Sequence, residues 1–281
     1  MSYGSYSSLG KRPKPNKQNK PKKDDNKQKN EEVEIPLESL LGSQQDVFGD
    51  ENDYTINEYY LYSDITVNSV MGLLKFIKNA EKRWENFKLE NKDILDIDNA
   101  KPTPLKIYIN SNGGEIFGAI PLVDAIQKCK IPIHTYIEGI AASAASLIAM
   151  AGHKRFITTN SFMLIHELRS GVEGTFSNIM DEHVNCMKLM KVIRTIYINR
   201  ILKASKDHSL GINDFNFPDI YNEQGKIDIT DNTESLLQRE EENIETIIVK
   251  KVNLLLENIL KRDLILSSDE CKRYLLVDEI L

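Results

Sequence analysis

Three stretches of the sequence set reactive groups beside signals for tight turns and helix starts. In Ile107-Tyr-Ile-Asn-Ser-Asn-Gly-Gly114 paired glycines follow an alternating apolar run, and residues without a Cβ let backbone N–H groups approach a ligand closely. In Gly139-Ile-Ala-Ala-Ser143-Ala-Ala-Ser a serine stands where a strand passes into a helix. A helix N-terminus carries unpaired N–H donors and positive potential, which suits a developing oxyanion. Met163-Leu-Ile-His166 ends an apolar run on a lone imidazole. The chemistry on offer is nucleophilic: a hydroxyl, a base for its proton, and donors for the charge that results. Singly, each stretch also has a plainer reading, with Ser143 as a helix cap, His166 as a satisfied core residue and Gly113-Gly114 as a turn. His183 and Cys186 share a helical face but have no further ligands nearby, so they read as helix packing and not as a metal site.

The surrounding periodicity supplies elements to hold these groups. A strand is expected over Ile56 to Tyr62, then a helix with Val70, Leu73, Leu74, Ile77 and Trp84 inward. After a polar linker come strand Leu105 to Ile109 and a helix with Ile116, Ala119, Ile120, Val123 and Ile126 on one face. Pro121 is tolerable there in a first turn and would kink the helix deeper in. Strand Ile131 to Ile137 leads through Gly139 into an Ala-rich helix, Ala144 to Met150; Arg155 to Thr158 and Phe162 to Ile165 read as further strands. Strands and helices alternating in such short units imply parallel pairing, hence an α/β core. A helix from about Ser177 to Lys203, with Ile179, His183, Cys186, Met187, Met190, Ile193 and Tyr197 at spacings of three and four, spans about 40 Å and outruns a compact domain. A second long helix, capped by Thr233, reaches Lys261 with Leu237, Ile244, Ile248, Val252, Leu255 and Ile259 as its seam, and Ser267-x-x-Glu270 opens a short last one.

Composition narrows the classes. The 281 residues carry 36 Lys+Arg and 42 Asp+Glu, a net charge of -6. Residues 1–30 hold nine Lys/Arg against two Asp/Glu, and the rest of the chain 27 against 40. Residues 1–52 are rich in Lys, Asn, Gln, Pro and Ser and read as a disordered basic tail before a domain over 53–281. Lys11 to Lys23 is a solvated run or a nuclear-localisation or nucleic-acid patch, and Leu40-Leu41 could dock on a neighbouring subunit. Residues 204–246, with 11 acidic and three basic residues, form an acidic insertion. The longest low-charge apolar stretch, Gly139 to Gly152, is too short for a membrane span, and no secretory h-region stands at the start. Cys129, Cys186 and Cys271 make no disulfide framework or C-x-x-C pair. A soluble, cytoplasmic protein is expected, with nuclear entry open through the tail.

Together and in this order the stretches resemble the proteolytic subunit of the Clp protease, a serine peptidase family. The likeness runs through Tyr108-Ile-Asn-Ser-x-Gly-Gly114, Gly139-x-Ala-Ala-Ser143, Arg155-Phe156, Met163 to His166, Gly171 and Gly174, then Lys261-Arg-Asp263-x-x-Leu-Ser and Leu276-Val-Asp-Glu-Ile-Leu281. It covers residues 56–202 and 247–281. The resemblance implies a ClpP/crotonase-type superhelical βαβ core with a projecting handle helix. It implies a triad of Ser143, His166 and Asp263, an oxyanion hole from Gly114 N–H and Ala144 N–H, and no cofactor or metal. It also implies an extended peptide clamped by Glu115-Ile116 and Leu168-Arg169-Ser170. Unfolded polypeptides are the implied substrates, homo-oligomeric rings the implied assembly and an AAA+ unfoldase the implied partner, since no G-x-x-x-x-G-K-[ST] run occurs here. Three positions depart from the family pattern: Asn112 and Leu168 stand where Pro is usual, and Leu275 where Gly is usual. The competing readings are a catalytically inert ring subunit, a crotonase-type acyl-CoA enzyme and a Ser-Lys peptidase using Lys154.

Overall fold

The structure, a computed structural model, describes residues 34–35, 57–93, 97, 100–207 and 244–281. Lys11 to Lys23, Leu40-Leu41, Thr233, Leu237 and most of the acidic stretch lie outside them. In chain order the elements are β1 (Glu34–Ile35), β2 (Glu58–Leu61), α1 (Val67–Glu90), β3 (Lys101–Pro102), β4 (Leu105–Ser111) and α2 (Ile116–Lys128). Then come β5 (Ile133–Ala142), α3 (Ala144–Ala151), β6 (Lys154–Ile157), β7 (Phe162–Ile165) and α4 (Phe176–Asp207). The C-terminal part adds α5 (Ile244–Leu260), β8 (Leu264–Ser267), α6 (Ser268–Arg273) and β9 (Glu279–Ile280). The segment read as tail thus contributes the two residues of β1, parallel to β3.

The main sheet runs β2-β4-β5-β6-β9, all parallel; β7 also pairs with β5, and β8 lies antiparallel on β7. The alternation expected of half-buried strands is plain in β4, where Leu105, Ile107, Ile109 and Ser111 are buried. On the other face Tyr60, Tyr108, Tyr136 and Phe156 occupy matched positions of β2, β4, β5 and β6. Their rings stack with centroids 4.8, 4.9 and 4.7 Å apart, a cross-strand row that pins the register.

The helices follow their sequence signals. Thr66 and Ser69 cap α1 reciprocally at 2.9 Å each way, and Val70, Leu73, Ile77, Ala80 and Trp84 face inward. Pro121 lies in the second turn of α2, on its exposed face, and the helix continues to Lys128. All eight residues of α3 are buried. The first half of α4 exposes Ile179, Met180, Val184 and Met187, whereas its second half buries Ile193, Tyr197, Ile201 and Ala204. The seam Ile248, Val252, Leu255 and Ile259 of α5 is buried. Among the described residues no helix is long and apolar enough to cross a membrane.

The Ser267–Glu270 capping box opens α6, and its far end explains one departure from the family pattern. Leu276 N–H donates to Cys271 O at 2.9 Å and Leu275 N–H to Lys272 O at 3.1 Å, the two bonds of a Schellman motif. That motif needs a left-handed residue after the helix, and Leu275 takes φ 58°, which costs an L-residue about 1–2 kcal/mol. The strain is held by Arg155, whose Nη1 donates to Leu275 O at 3.1 Å.

Arg155 itself is 2% exposed and forks onto Asp278, with Nε at 3.0 Å and Nη2 at 2.6 Å, while Arg155 N–H adds a 2.8 Å bond. Burial pushes the Asp278 carboxyl up, but the hydrogen bonds and charge of Arg155 outweigh it and hold the carboxyl below its ordinary range. A depressed carboxyl contributes stability that is present at neutral pH and lost as pH falls through the folded-state value. Asp278→Asn should therefore cost about 2–3 kcal/mol at pH 7, the low end for breaking a buried pair because Asp278 keeps some solvent contact. The deficit should shrink below about pH 4, where the ordinary carboxylate begins to protonate. Urea unfolding at both pH values checks this; an equal deficit at each would show that the charge is not what Arg155 reads.

Candidate active site

The expected nucleophile stands at the handover from β5 to α3. Ser143 is the N-cap residue of α3, but its side chain makes no capping hydrogen bond, so the hydroxyl is left for other work. Its backbone has φ 53° and ψ -123°, a region sparsely open to L-residues and a mark of stored strain at functional turns. The turn is tied on both sides: Ser143 N–H donates to Leu164 O of β7 at 2.9 Å, and Ser143 O accepts from Ser146 N–H at 3.0 Å.

The glycine pair is packed directly behind it. A Cβ on Gly113, at φ 94°, would lie 2.7 Å from Ser143 Cβ and 3.0 Å from Ala144 N. Gly114 pairs with Ile65: Ile65 N–H donates to Gly113 O and Glu115 N–H to Ile65 O, each at 2.7 Å. That parallel bridge turns the Gly114 N–H away from Ile65, and a Cβ on Gly114 would meet Ile65 O at 2.2 Å. Among the described residues neither the Gly114 nor the Ala144 amide donates to a protein acceptor. One unpaired amide thus follows Ser143 directly in the chain, and the other follows the glycine packed against it.

His166 and Asp263 arrive on the neighbouring strands. The β5–β7 register, Ala142 opposite Leu164, places Ser143 level with Ile165. The β7–β8 register, Ile165 opposite Leu264, places His166 level with Asp263. The two side chains are nevertheless not bonded. His166 Nδ1 lies 2.6 Å from Glu167 O, and a carbonyl only accepts, so Nδ1 carries the proton and Nε2 the lone pair a general base needs. Asp263 pairs with Arg169 at the surface, the two side chains 60% and 73% exposed. Among the described residues no hydrogen bond joins Ser143 to His166 or His166 to Asp263.

The expected peptide-binding residues are partly engaged. Glu115 spends its N–H on Ile65 and accepts from Val67 N–H at 3.1 Å through Oε2. Ile116 is half-buried against the core, and Leu168 N–H meets Met190 Sδ at 3.2 Å. Ser170 donates to Glu182 of α4. Lys154 is exposed at the start of β6, at the opposite end of its pairing with β5 from Ser143. His183 is exposed, Cys186 Sγ lies 3.5 Å from Glu182 Oε1, and no group of three metal-ligating side chains occurs among the described residues.

Several supporting residues carry no sequence signal of their own. Ser111 Oγ accepts from Gly113 N–H at 3.2 Å, and Ser161 Oγ from Gly139 N–H at 2.6 Å. Arg200 of α4 reaches back to the last turn of α3, with Nε on Met150 O at 2.8 Å and Nη2 on Gly152 O. It satisfies carbonyls a helix end leaves unpaired, and its positive charge suits that end of the dipole. Burial, with Arg155 nearby, brings the Arg200 guanidinium down to about 10. Thr135 Oγ1 donates to Ala149 O at 2.8 Å in the same place.

The family model described as Clp protease matches residues 86–208, a span that holds Gly113-Gly114, Ser143, His166 and α4 but stops before Asp263. Over that span the chain is similar to the Clp protease family, and the parallel-dominated sheet and long α4 around it are consistent with a ClpP-type fold.

Proposed function

We propose that the protein is a serine endopeptidase subunit that hydrolyses peptide bonds of unfolded proteins or short peptides through Ser143. What supports this most is the strained Ser143, with its hydroxyl uncapped, next to the unpaired Ala144 amide and packed against the Gly113-Gly114 turn that carries the other unpaired amide. In the reaction His166 Nε2 takes the Ser143 proton as Oγ attacks the carbonyl carbon, and the two amides receive the oxyanion. His166 then gives the proton to the leaving amine, and a water repeats the sequence to release the acid and restore Ser143. Asp263, level with His166 across the β7–β8 pair, orients the imidazole once it leaves Arg169. Glu115-Ile116 and Leu168 to Ser170 line the extended substrate. A homo-oligomeric ring and a separate AAA+ unfoldase complete the proposal, on the family's pattern and the apolar residues exposed along α4.

Ser143→Ala is expected to abolish labelling by a fluorophosphonate probe and to lower peptide hydrolysis by about 10⁴-fold or more, with the native mass unchanged. Labelling of the variant at the wild-type rate would overturn the assignment.

The second reading, a catalytically inert ring subunit, is favoured by one observation: Asp263 is paired with Arg169, and His166 Nδ1 with a carbonyl. An ion pair this exposed is worth only about 0.2–1 kcal/mol. In the peptidase reading, Arg169→Ala should therefore raise kcat by no more than about fivefold. Turnover of a fluorogenic peptide by wild type and variant separates the readings, since an inert subunit shows none in either.

A further inference from the structure

The carbonyl of Ser143 is held by both donors of one residue, Ser146 N–H at 3.0 Å and Ser146 Oγ–H at 2.5 Å. A hydroxyl has one proton. With that proton on the Ser143 carbonyl, the 2.6 Å contact between Ser146 Oγ and the Tyr197 hydroxyl has Tyr197 as its donor. Tyr197 is 2% exposed, Ser146 fully buried, and the pair joins α4 to the first turn of α3. Burial pushes the Tyr197 phenol well above its ordinary range, so it stays protonated.

The carbonyl of Ser143 and the N–H of Ala144 belong to one planar trans unit and point in opposite directions. Whatever fixes the carbonyl also aims the amide. Ser143 at φ 53° and ψ -123° is strained, and turning the peptide over would bring its ψ to about +57°, a tolerated left-handed value, while swinging φ of Ala144 to a positive value that an L-residue disfavours. Such a flip would point the Ala144 N–H away from Ser143 Oγ. The hydrogen bonds on the Ser143 carbonyl oppose it.

We propose that Tyr197, acting through Ser146, is a positioning residue that keeps the Ser143–Ala144 peptide unflipped, so that α4 sets the aim of the oxyanion donor. This rests on the serine-peptidase reading. The two hydroxyls touch neither substrate nor the reacting atoms; they act only through the peptide.

The test compares wild type, Tyr197→Phe, Ser146→Ala, their double variant and Ile201→Ala, a buried neighbour on α4 outside this chain of bonds. Each is assayed for kcat and KM on a fluorogenic peptide, for fluorophosphonate labelling rate and for affinity to a peptide boronate, which forms a tetrahedral adduct on serine. Misaiming one oxyanion donor should lower kcat and labelling about 10- to 100-fold in Tyr197→Phe and Ser146→Ala, and weaken boronate binding in proportion, with KM little changed. The double variant should match Ser146→Ala, because one path runs through both hydroxyls. Ile201→Ala should lose thermal stability and keep its kcat at 25 °C. Labelling and kcat at wild-type levels in Tyr197→Phe, or a loss of stability alone as in Ile201→Ala, would overturn the proposal. A wild type that the probe does not label at Ser143 would instead overturn the peptidase reading on which it rests.

Discussion

Strand β5 gives its first half, His134–Ile137, to β6 and its second half, Ile140–Ala142, to β7. One edge of a strand cannot follow two partners that lie in different directions unless the backbone bends between them, and Gly139, at φ 92°, makes the bend. The bend is crowded as well as flexible. A Cβ on Gly139 would lie 2.8 Å from Asn110 Oδ1, the atom that accepts the Ile140 N–H at 3.3 Å. Once β5 has turned, β7 lies beside its end and Leu164 O can take the Ser143 N–H, so the strained serine and the imidazole strand are fixed by the same pairing. Much of what the site needs follows from that divided strand.

The far end of α3 is anchored as firmly. Arg200, Thr135 and the close approach of Gly152 to Thr135 leave the helix no room to slide along β5. Arg155 performs a parallel task one strand over, joining β6 to the C-terminal segment through Asp278 and the carbonyl of Leu275. Buried arginines are tolerable only with their donors occupied, and both are occupied chiefly by backbone carbonyls or one carboxylate. Position is therefore set here by groups that cannot be left unpaired, and more tightly than apolar packing alone would set it.

The sequence made legible whatever depends on local spacing. Helices α1, α2, α3 and α6, strands β4 and β7, and the Ser267–Glu270 cap lie within a few residues of where periodicity and capping residues place them. The glycine pair and Ser143 were readable because turn and helix-start chemistry is local. What escaped was made by distance. β8 and β9 are short, β8 is mostly exposed, and their strand character comes from lying against β7 and β6. Ser146 sits three residues from Ser143, yet its partner Tyr197 is 51 residues further on, and nothing in either neighbourhood announces the contact. Asp263 could be matched to a family pattern, but its pairing with Arg169 joins two surface side chains that spacing does not relate.

The site is thus built of two halves held by unequal forces. Around Ser143 the constraints are buried hydrogen bonds and sub-van-der-Waals glycine approaches, each of which costs kcal/mol to violate. Around His166 they are a carbonyl bond on the adjacent residue and an exposed ion pair, which solvent and salt readily replace. The carbonyl already sets the tautomer, but it bears no net charge, so it stabilises an imidazolium less than a carboxylate would. In the peptidase reading the nucleophile and oxyanion donors are ready before substrate arrives, and the charge that supports the base is the part still to be recruited. Moving Asp263 from Arg169 to His166 exchanges one weak, solvated contact for one shielded by a bound peptide strand. Substrate itself, by excluding water from the exposed surface at Arg169 and Asp263, would supply the bias in that reading.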